Sequence, residues 1–156
     1  MQKKFFRNNK GQICDIVRFC EENGGKNTTL YVGTDSVSQH EQTMFVTVVA
    51  IRNGKKDDNS ARGATFRFLK TFTEKFKDKL QRLRKEAELT MEIVRFLEDN
   101  FIAVDVIEFD YNSNEKHLSN KVLHEWKGWV SGLGYQVTVK PDEQVAVKAA
   151  DYICKG

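Results

Sequence analysis

The order in which two hydrophobic periods occur along this chain restricts the possible folds more than any other feature. Segments rich in β-branched and aromatic residues predict strands, and segments with apolar residues at steps of three and four predict helices. The predicted strands are residues 28–34, 43–51, 64–72, 101–109 and 135–140. The predicted long helices are residues 75–100, 114–132 and 142–153. Because the first three strands follow one another closely and the later ones are linked by helices, the order predicts an α/β fold with a mixed sheet, antiparallel first and parallel later.

Length and composition indicate one soluble globular domain. The 156 residues suffice for a single core, 40% of them are apolar, and no apolar run reaches the length of a membrane span. We expect one domain over residues 1–156, in which residues 1–25 form an N-terminal helical extension that ends at two glycines. The three cysteines lack the spacing of a metal site and the N-terminus lacks an apolar segment of secretory length, so we expect a cytoplasmic protein.

The strand at residues 28–34 leads directly into an acidic residue. Asp35 has a hydroxyl residue on either side, Thr34 and Ser36. An aspartate held within a sheet costs free energy unless it is paired or binds a cation. We favour binding of a divalent metal ion, and the alternative is an aspartate that caps a turn at the end of a strand.

Several short strings occur in a consistent order on the predicted elements. The strings are Gly33–Ser36, Val106–Asn112, Ser119–Asn120, Gly134–Tyr135, Lys140–Asp142 and Ala149–Asp151. Together they resemble the YkuK family, a ribonuclease H-like group, over roughly residues 29–155. The resemblance implies a ribonuclease H-like fold with helices flanking a five-stranded mixed sheet of strand order 3-2-1-4-5, whose first three strands are antiparallel. By extension, it implies a metal-dependent phosphodiester hydrolase.

The resemblance also implies a set of acidic ligands. It contains Asp35 on the first strand, a glutamate on the first long helix, Asp110 at the end of the fourth strand and Asp151 on the last helix. Hydrolysis of a phosphodiester needs an activated water and neutralised charge on the leaving oxygen, which two Mg²⁺ or Mn²⁺ ions about 4 Å apart provide through carboxylate ligands. Competing explanations are turn formation at Asp110 and a solvated salt bridge from Asp151 to Lys148 or Lys155.

Helical periodicity chooses between two glutamates on the first long helix. Each residue advances about 100° around the axis, so Glu86 lies beside the apolar stripe through Leu83 and Ala87, whereas Glu88 lies near the opposite face. We therefore expect Glu86 to be the catalytic and metal-binding residue. Glu88 remains the alternative, because the string that begins there is superficially similar to the helix motif of ribonuclease H. An ordinary charge on the flank of the helix would also explain Glu86.

Basic residues at two places are candidate contacts for nucleic acid. A cluster that includes Arg82 and Lys85 opens the first long helix, where the helix dipole disfavours cations. A solvated start of the helix explains this cluster equally well. Lys140 belongs to one of the family strings and follows the fifth strand, where it would meet a phosphate at the same sheet edge.

We therefore expect a metal-dependent nuclease that acts on RNA, DNA or a hybrid by a two-metal mechanism, with no membrane partner and no protein partner indicated. The alternative is a catalytically inactive nucleic-acid-binding or scaffold domain on the same fold. An ATP-dependent enzyme is disfavoured because the chain lacks a glycine-rich phosphate loop. Convergence of the four carboxyl groups to within about 4–6 Å of a common point would distinguish the nuclease from the binding domain.

Overall fold

A seven-stranded mixed sheet forms the centre of the protein. The computed structural model describes residues 5–54, 64–112, 128, 130–140 and 144–156. The strands are β1 (Phe6–Arg7), β2 (Ile13–Cys14), β3 (Thr28–Ser38), β4 (Gln42–Asn53), β5 (Thr65–Glu74), β6 (Val106–Asn112) and β7 (Gln136–Lys140). They hydrogen-bond in the order β2-β1-β5-β4-β3-β6-β7.

The five longer strands have the predicted order and directions. Strand β4 is antiparallel to its neighbours β5 and β3, and β6 and β7 continue the sheet parallel to β3. The predicted number of five strands is wrong, since β1 and β2 add two more beside β5. Each added strand has two residues, which is too short to produce a recognisable alternation of apolar and polar side chains. Residues 1–25, expected to be a helical extension, contribute these strands as well as a helix.

Side-chain caps determine where the helices begin. Helix α1 (Ile16–Asn23) follows Asp15, whose side chain accepts hydrogen bonds from two backbone N–H groups of the first turn. Helix α2 (Lys79–Asp99) starts later than predicted because Asp78 caps it through the N–H of Leu80. The closing helix α3 (Ala146–Lys155) confirms a helix at the end of the chain.

Only part of the predicted helix at residues 114–132 lies within the described residues. Residues 128 and 130–132 of it are helical, and the rest lies outside the described part of the chain. In the part of the chain that the structure describes, no helix combines the length and apolar character that crossing a membrane would require.

Helices α2 and α3 pack on opposite faces of the sheet. Helix α2 covers one face, where its apolar stripe packs against residues such as Leu30 and Val32 of β3. Helix α3 covers the other face, where Ala146 and Ala150 pack against residues such as Tyr31. Alternate residues of β3 therefore face α2 and α3 in turn.

The sheet opens between its two central parallel strands. Within the described residues, β3 pairs with β6 over Tyr31–Gly33, which lie opposite Val106–Glu108. β3 continues to Ser38 along β4, and β6 continues to Asn112 along β7 after an irregularity in register. A gap therefore forms at the carboxyl ends of β3 and β6, the place where open α/β sheets bind ligands.

Candidate active site

Asp35 lies on β3 beside this gap. It is 9% exposed, and its Oδ1 accepts a hydrogen bond from the backbone N–H of Ser36 at 2.8 Å. Alternation along β3 places Asp35 on the same face as Tyr31 and Val37, which belong to the apolar cluster under α3. Asp35 therefore lies on the α3 side of the sheet, two residues beyond the last pair between β3 and β6.

Glu86 approaches the same part of β3 from the opposite face. It is 3% exposed on α2, and its Oε2 accepts a hydrogen bond from the Oγ of Ser36. One turn further along the helix, Thr90 donates or accepts a hydrogen bond with Thr34 at 2.7 Å between the two hydroxyl oxygens. These hydroxyls attach α2 to β3 on either side of Asp35 in the sequence, which holds Glu86 near the gap.

Glu88 has a different environment from Glu86. Its side chain is 62% exposed, and its Oε1 lies 3.3 Å from the Nζ of Lys85. The predicted orientation of α2 is confirmed, because the helix turns Glu86 towards the sheet and Glu88 towards solvent. The choice of Glu86 as a ligand stays a prediction.

Asp151 lies on α3 and is only partly buried. Its Oδ2 lies 2.8 Å from the Nζ of Lys155, one turn further along the helix. This is one of the ion pairs that the sequence suggested as the competing explanation for Asp151. The carboxylate nevertheless lies on the helix that covers the Asp35 face of the sheet.

The charges of three of the predicted carboxylates act on the thiol of Cys154. Burial, followed by the negative charges of Asp35, Asp151 and Glu86, raises the pKa of this thiol from 9.0 to about 12, while Lys70 acts in the opposite direction. These carboxylates, on β3, α3 and α2, therefore lie within electrostatic range of one sulfur atom. The gap between β3 and β6 explains how side chains from the two faces of the sheet reach a common region.

The fourth predicted carboxylate, Asp110, lies on β6 two residues beyond Glu108. Its side chain, like that of Lys140 at the end of β7, is outside the described part of the structure. Of the strings that carried the resemblance, Ser119–Asn120 and most of Lys140–Asp142 are outside it as well. Among the described side chains, no three His, Cys, Asp or Glu residues form a group that could hold a metal ion.

Glu108 is a buried carboxyl group that the sequence reasoning missed. It is fully buried on β6, and its two oxygens accept hydrogen bonds from the backbone N–H groups of Val145 at 2.8 Å and Val147 at 2.9 Å. Burial raises the pKa of Glu108 to about 7, against the opposing effects of these N–H groups and the charge of Arg52. The residue before α3 makes no side-chain cap, so Glu108 supplies that cap from a strand and attaches the helix to β6.

A close approach of α3 to β3 requires Gly33. A Cβ atom at this position would lie 2.9 Å from Cγ2 of Val147 and 3.3 Å from the Cβ atoms of Ala146 and Glu108. The side chain of Gln144 adds a further link to the sheet, since its Nε2 donates a hydrogen bond to the carbonyl of Phe109 at 2.7 Å. These contacts hold the start of α3 against β3 and β6. They therefore set where Asp151 and Cys154, further along the helix, lie relative to the sheet.

The two candidate basic residues on α2, Arg82 and Lys85, have different surroundings. Arg82 donates a hydrogen bond through Nη1 to the Oγ of Ser38 at 3.3 Å, which places it at the end of β3. Lys85 lines an open groove of about 700 Å³ at the junction of β5 and α2. The groove is lined by cations such as Lys75 and Arg84 and also by acidic residues. Its mixed charge therefore does not favour the binding of a polyanion.

The strand order, the opening between β3 and β6 and the carboxylates beside it agree with one known family. A family model described as Ribonuclease H-like matches residues 12–155. The chain belongs to the ribonuclease H-like family. Within that superfamily it is a member of the YkuK family, which confirms the resemblance seen in the short strings. No curated protein and no solved structure matches the chain.

The donor groups of this ribonuclease H-like protein are chemically suited to hard divalent cations. Asp35, Glu86 and Asp151 offer carboxylate oxygens, which Mg²⁺ and Mn²⁺ prefer to sulfur or nitrogen. The high pKa of Cys154 keeps its thiol neutral at physiological pH, so the sulfur adds no competing charge. The carboxylates therefore fit such ions by donor type, and Asp110 is the remaining predicted ligand.

Proposed function

We propose that this ribonuclease H-like protein is a cytoplasmic, metal-dependent nuclease that hydrolyses phosphodiester bonds of RNA or structured nucleic acid. The observation that supports the proposal most strongly is the position of Asp35 on β3, just beyond the last pair between β3 and β6, next to Ser36, whose hydroxyl donates to Glu86 of α2. A substrate phosphate bound at the gap between these two strands would meet carboxylates from three different elements.

In the proposed site, Asp35, Glu86, Asp110 and Asp151 would hold two Mg²⁺ or Mn²⁺ ions. When bound, such ions activate a water molecule and neutralise charge on the leaving oxygen. Ser36 would orient Glu86 through its hydroxyl, and Glu108 would keep α3 in place so that Asp151 faces the gap. Lys140, Arg82 and Lys85 would contact phosphates of the nucleic acid strand.

A second candidate function is an inactive nucleic-acid-binding or scaffold domain. The ion pair between Asp151 and Lys155 favours it, because a carboxylate that already has a cationic partner is less available to a metal ion. The absence of a metal-binding group among the described side chains points the same way. The two candidates differ in turnover and share the capacity to bind nucleic acid.

A matched pair of substitutions on α2 tests the nuclease. We expect Glu86→Gln to abolish Mn²⁺-stimulated cleavage, because it removes a negative ligand, whereas Glu88→Gln should cleave like the unmodified protein. The measurement is a panel of labelled single strands, duplexes, RNA–DNA hybrids and four-way junctions incubated with Mg²⁺, Mn²⁺ or a chelator. Asp35→Asn protein, purified in parallel, controls for contaminating nucleases.

Each outcome separates the candidates. Cleavage that disappears in the Glu86 and Asp35 variants and persists in the Glu88 variant supports the proposed site. Equal cleavage by all four proteins would mean that these carboxylates do not act in the reaction. Binding to the same substrates without cleavage in any condition would favour the binding domain.

A further inference from the structure

A chain of three buried hydroxyl groups joins β4, β3 and α2. Thr47 and Thr34 face each other across the two strands with 3.0 Å between their hydroxyl oxygens, and Thr90 of α2 lies 2.7 Å from Thr34. Thr90 also donates a hydrogen bond to the backbone carbonyl of Glu86 at 3.0 Å. Because each hydroxyl has one proton to donate, Thr90 accepts from Thr34, and Thr34 accepts from Thr47. The chain therefore runs in one direction across three elements and ends at Glu86.

This hydroxyl chain lies in an apolar part of the core. Each of its threonines is 1% exposed, and the next residues inward on the two strands, Val32 and Val49, belong to the apolar cluster that α2 covers. Valine has nearly the shape of threonine, and replacing both partners of a buried hydrogen bond by apolar groups of the same shape is nearly neutral or stabilising. The carbonyl of Glu86 would keep its helical hydrogen bond to the backbone N–H of Thr90. The stability of the core therefore does not require these hydroxyls, and their directional hydrogen bonds indicate a role in placement.

The hydroxyl chain forms the innermost of three polar contacts between α2 and β3. Ser36 contacts Glu86 one helical turn nearer the start of α2, and Ser38 contacts Arg82 a further turn along. Two residues of a strand advance about 6.6 Å and four residues of a helix about 6 Å, so the three contacts stay in register. Hydrogen bonds depend strongly on distance and angle, whereas apolar cores lose their unique arrangement before they lose stability. The contact at Thr90, which is buried, therefore fixes the register that the two outer contacts follow.

We propose that Thr34, Thr47 and Thr90 are positioning residues of the candidate active site, whose hydroxyl chain fixes the register of α2 on β3 and so holds the carboxylate of Glu86 at the hydroxyl of Ser36. This role rests on the proposed function, because Glu86 serves the reaction only as a metal ligand. Partners that orient the ligands of a metal site commonly contribute roughly ten- to a hundredfold to metal affinity. Removal of the hydroxyl chain should therefore weaken metal binding while the core stays intact.

A triple substitution by valine tests the positioning role. Thr34→Val/Thr47→Val/Thr90→Val should unfold in urea at a midpoint no lower than that of the unmodified protein. In metal-free buffer, hydrogen–deuterium exchange followed by mass spectrometry should show the amides of residues 80–86 exchanging roughly tenfold faster, because the first turns of α2 lose their fixed register. Isothermal titration calorimetry should show Mn²⁺ binding that is roughly tenfold weaker.

Two single substitutions serve as matched controls. Thr90→Ser retains the hydroxyl, so it should keep the exchange rates and the Mn²⁺ affinity of the unmodified protein. Thr29→Val, also on β3, removes a hydroxyl from a residue that is 1% exposed and donates to the carbonyl of Gly54 at 2.9 Å. It should lower the urea midpoint, because this hydrogen bond is lost without replacement, and leave both exchange in α2 and Mn²⁺ affinity unchanged. A metal affinity that merely followed stability would fall in this variant.

The outcomes separate the positioning role from the proposed function. Exchange in residues 80–86 that is unchanged in the triple variant, or accelerated equally in Thr90→Ser or Thr29→Val, would overturn the positioning role whatever the metal titrations show. Faster exchange with unaltered Mn²⁺ binding would overturn the link between the hydroxyl chain and the metal site. Faster exchange in a protein that binds no Mn²⁺ even when unmodified would support the positioning of α2 on β3 and overturn the proposed nuclease instead.

Discussion

At the scale of single residues, the buried carboxyl groups are the feature that most needs an explanation, because burial of a charge costs free energy. Asp35, Glu86 and Glu108 are at most 9% exposed, and each is placed by backbone or hydroxyl groups of β3 or α3. The charges of Asp35 and Glu86 act on the thiol of Cys154, and Glu108 caps a helix.

The cap formed by Glu108 should make stability depend on pH. Its pKa rises from 4.5 to about 7 on folding, so the folded protein holds the proton more tightly than the unfolded chain does. The resulting stabilisation is complete below about pH 4.5 and is lost as the pH rises through about 7. We expect the free energy of unfolding to fall by roughly 2 kcal/mol between about pH 5 and 8, relative to Glu108→Gln.

Urea denaturation of both proteins at each pH measures this difference, and the comparison with the variant removes the contribution of other titrating groups. Parallel curves for the two proteins would contradict a raised pKa at Glu108.

At the scale of secondary-structure elements, the placement of α3 decides whether a site exists. The helix contributes Asp151 and Cys154, yet its position is set by contacts at its first turn with Gly33 of β3 and Glu108 of β6. Small residues on its inner face, Ala146 and Ala150, allow it to lie close to the sheet. A substitution at the first turn would therefore shift the other end of the helix, which carries Asp151 and Cys154.

Gly33→Ala should disturb this contact. The added methyl group would lie 2.9 Å from Cγ2 of Val147, whose branched side chain has little freedom to move away. We expect a loss of about 1–3 kcal/mol in the free energy of unfolding, measured by urea denaturation. Gly25→Ala is the control, because a Cβ there meets nothing within 4 Å, and it should change stability by less than about 0.5 kcal/mol. Equal stabilities of the two variants would show that α3 has room to adjust.

At the scale of the whole molecule, the opening of the sheet between β3 and β6 joins its two faces. Glu86 on α2 and Asp151 on α3 belong to layers on opposite faces of the sheet, and the charges of both, like that of Asp35, act on the thiol of Cys154. Carboxylates gathered in this way repel one another unless cations offset their charge. The proposed metal ions would therefore stabilise the folded protein as a whole.

Manganese should raise the temperature of unfolding. A ligand that binds only the folded state at a hundred times its Kd adds about 2.7 kcal/mol to stability. We expect an increase for the unmodified protein and for Glu88→Gln, measured by differential scanning calorimetry, and little or none for Asp35→Asn. An equal response of all three proteins would indicate that manganese binds elsewhere.

The amino-acid sequence was sufficient to predict the fold class, the order of the five longer strands and the orientation of α2. The fold class and the orientation of α2 depend on periodicity over many residues, which local side-chain preferences encode strongly. The strand order was implied by the resemblance to the YkuK family. Glu86 was distinguished from Glu88 by helical periodicity, since the apolar stripe of α2 alone defines which side faces the sheet.

Tertiary structure decided the rest, because it depends on residues that are distant in the chain. Strands β1 and β2 are too short to pair without β5 beside them, and Glu108 becomes a cap only when α3 lies against β6. The hydrogen bond between Ser36 and Glu86 likewise follows from the packing of α2 on β3 rather than from any local pattern. Local preferences therefore determined the elements of this protein, and the packing of α2 and α3 on opposite faces determined which of their side chains meet.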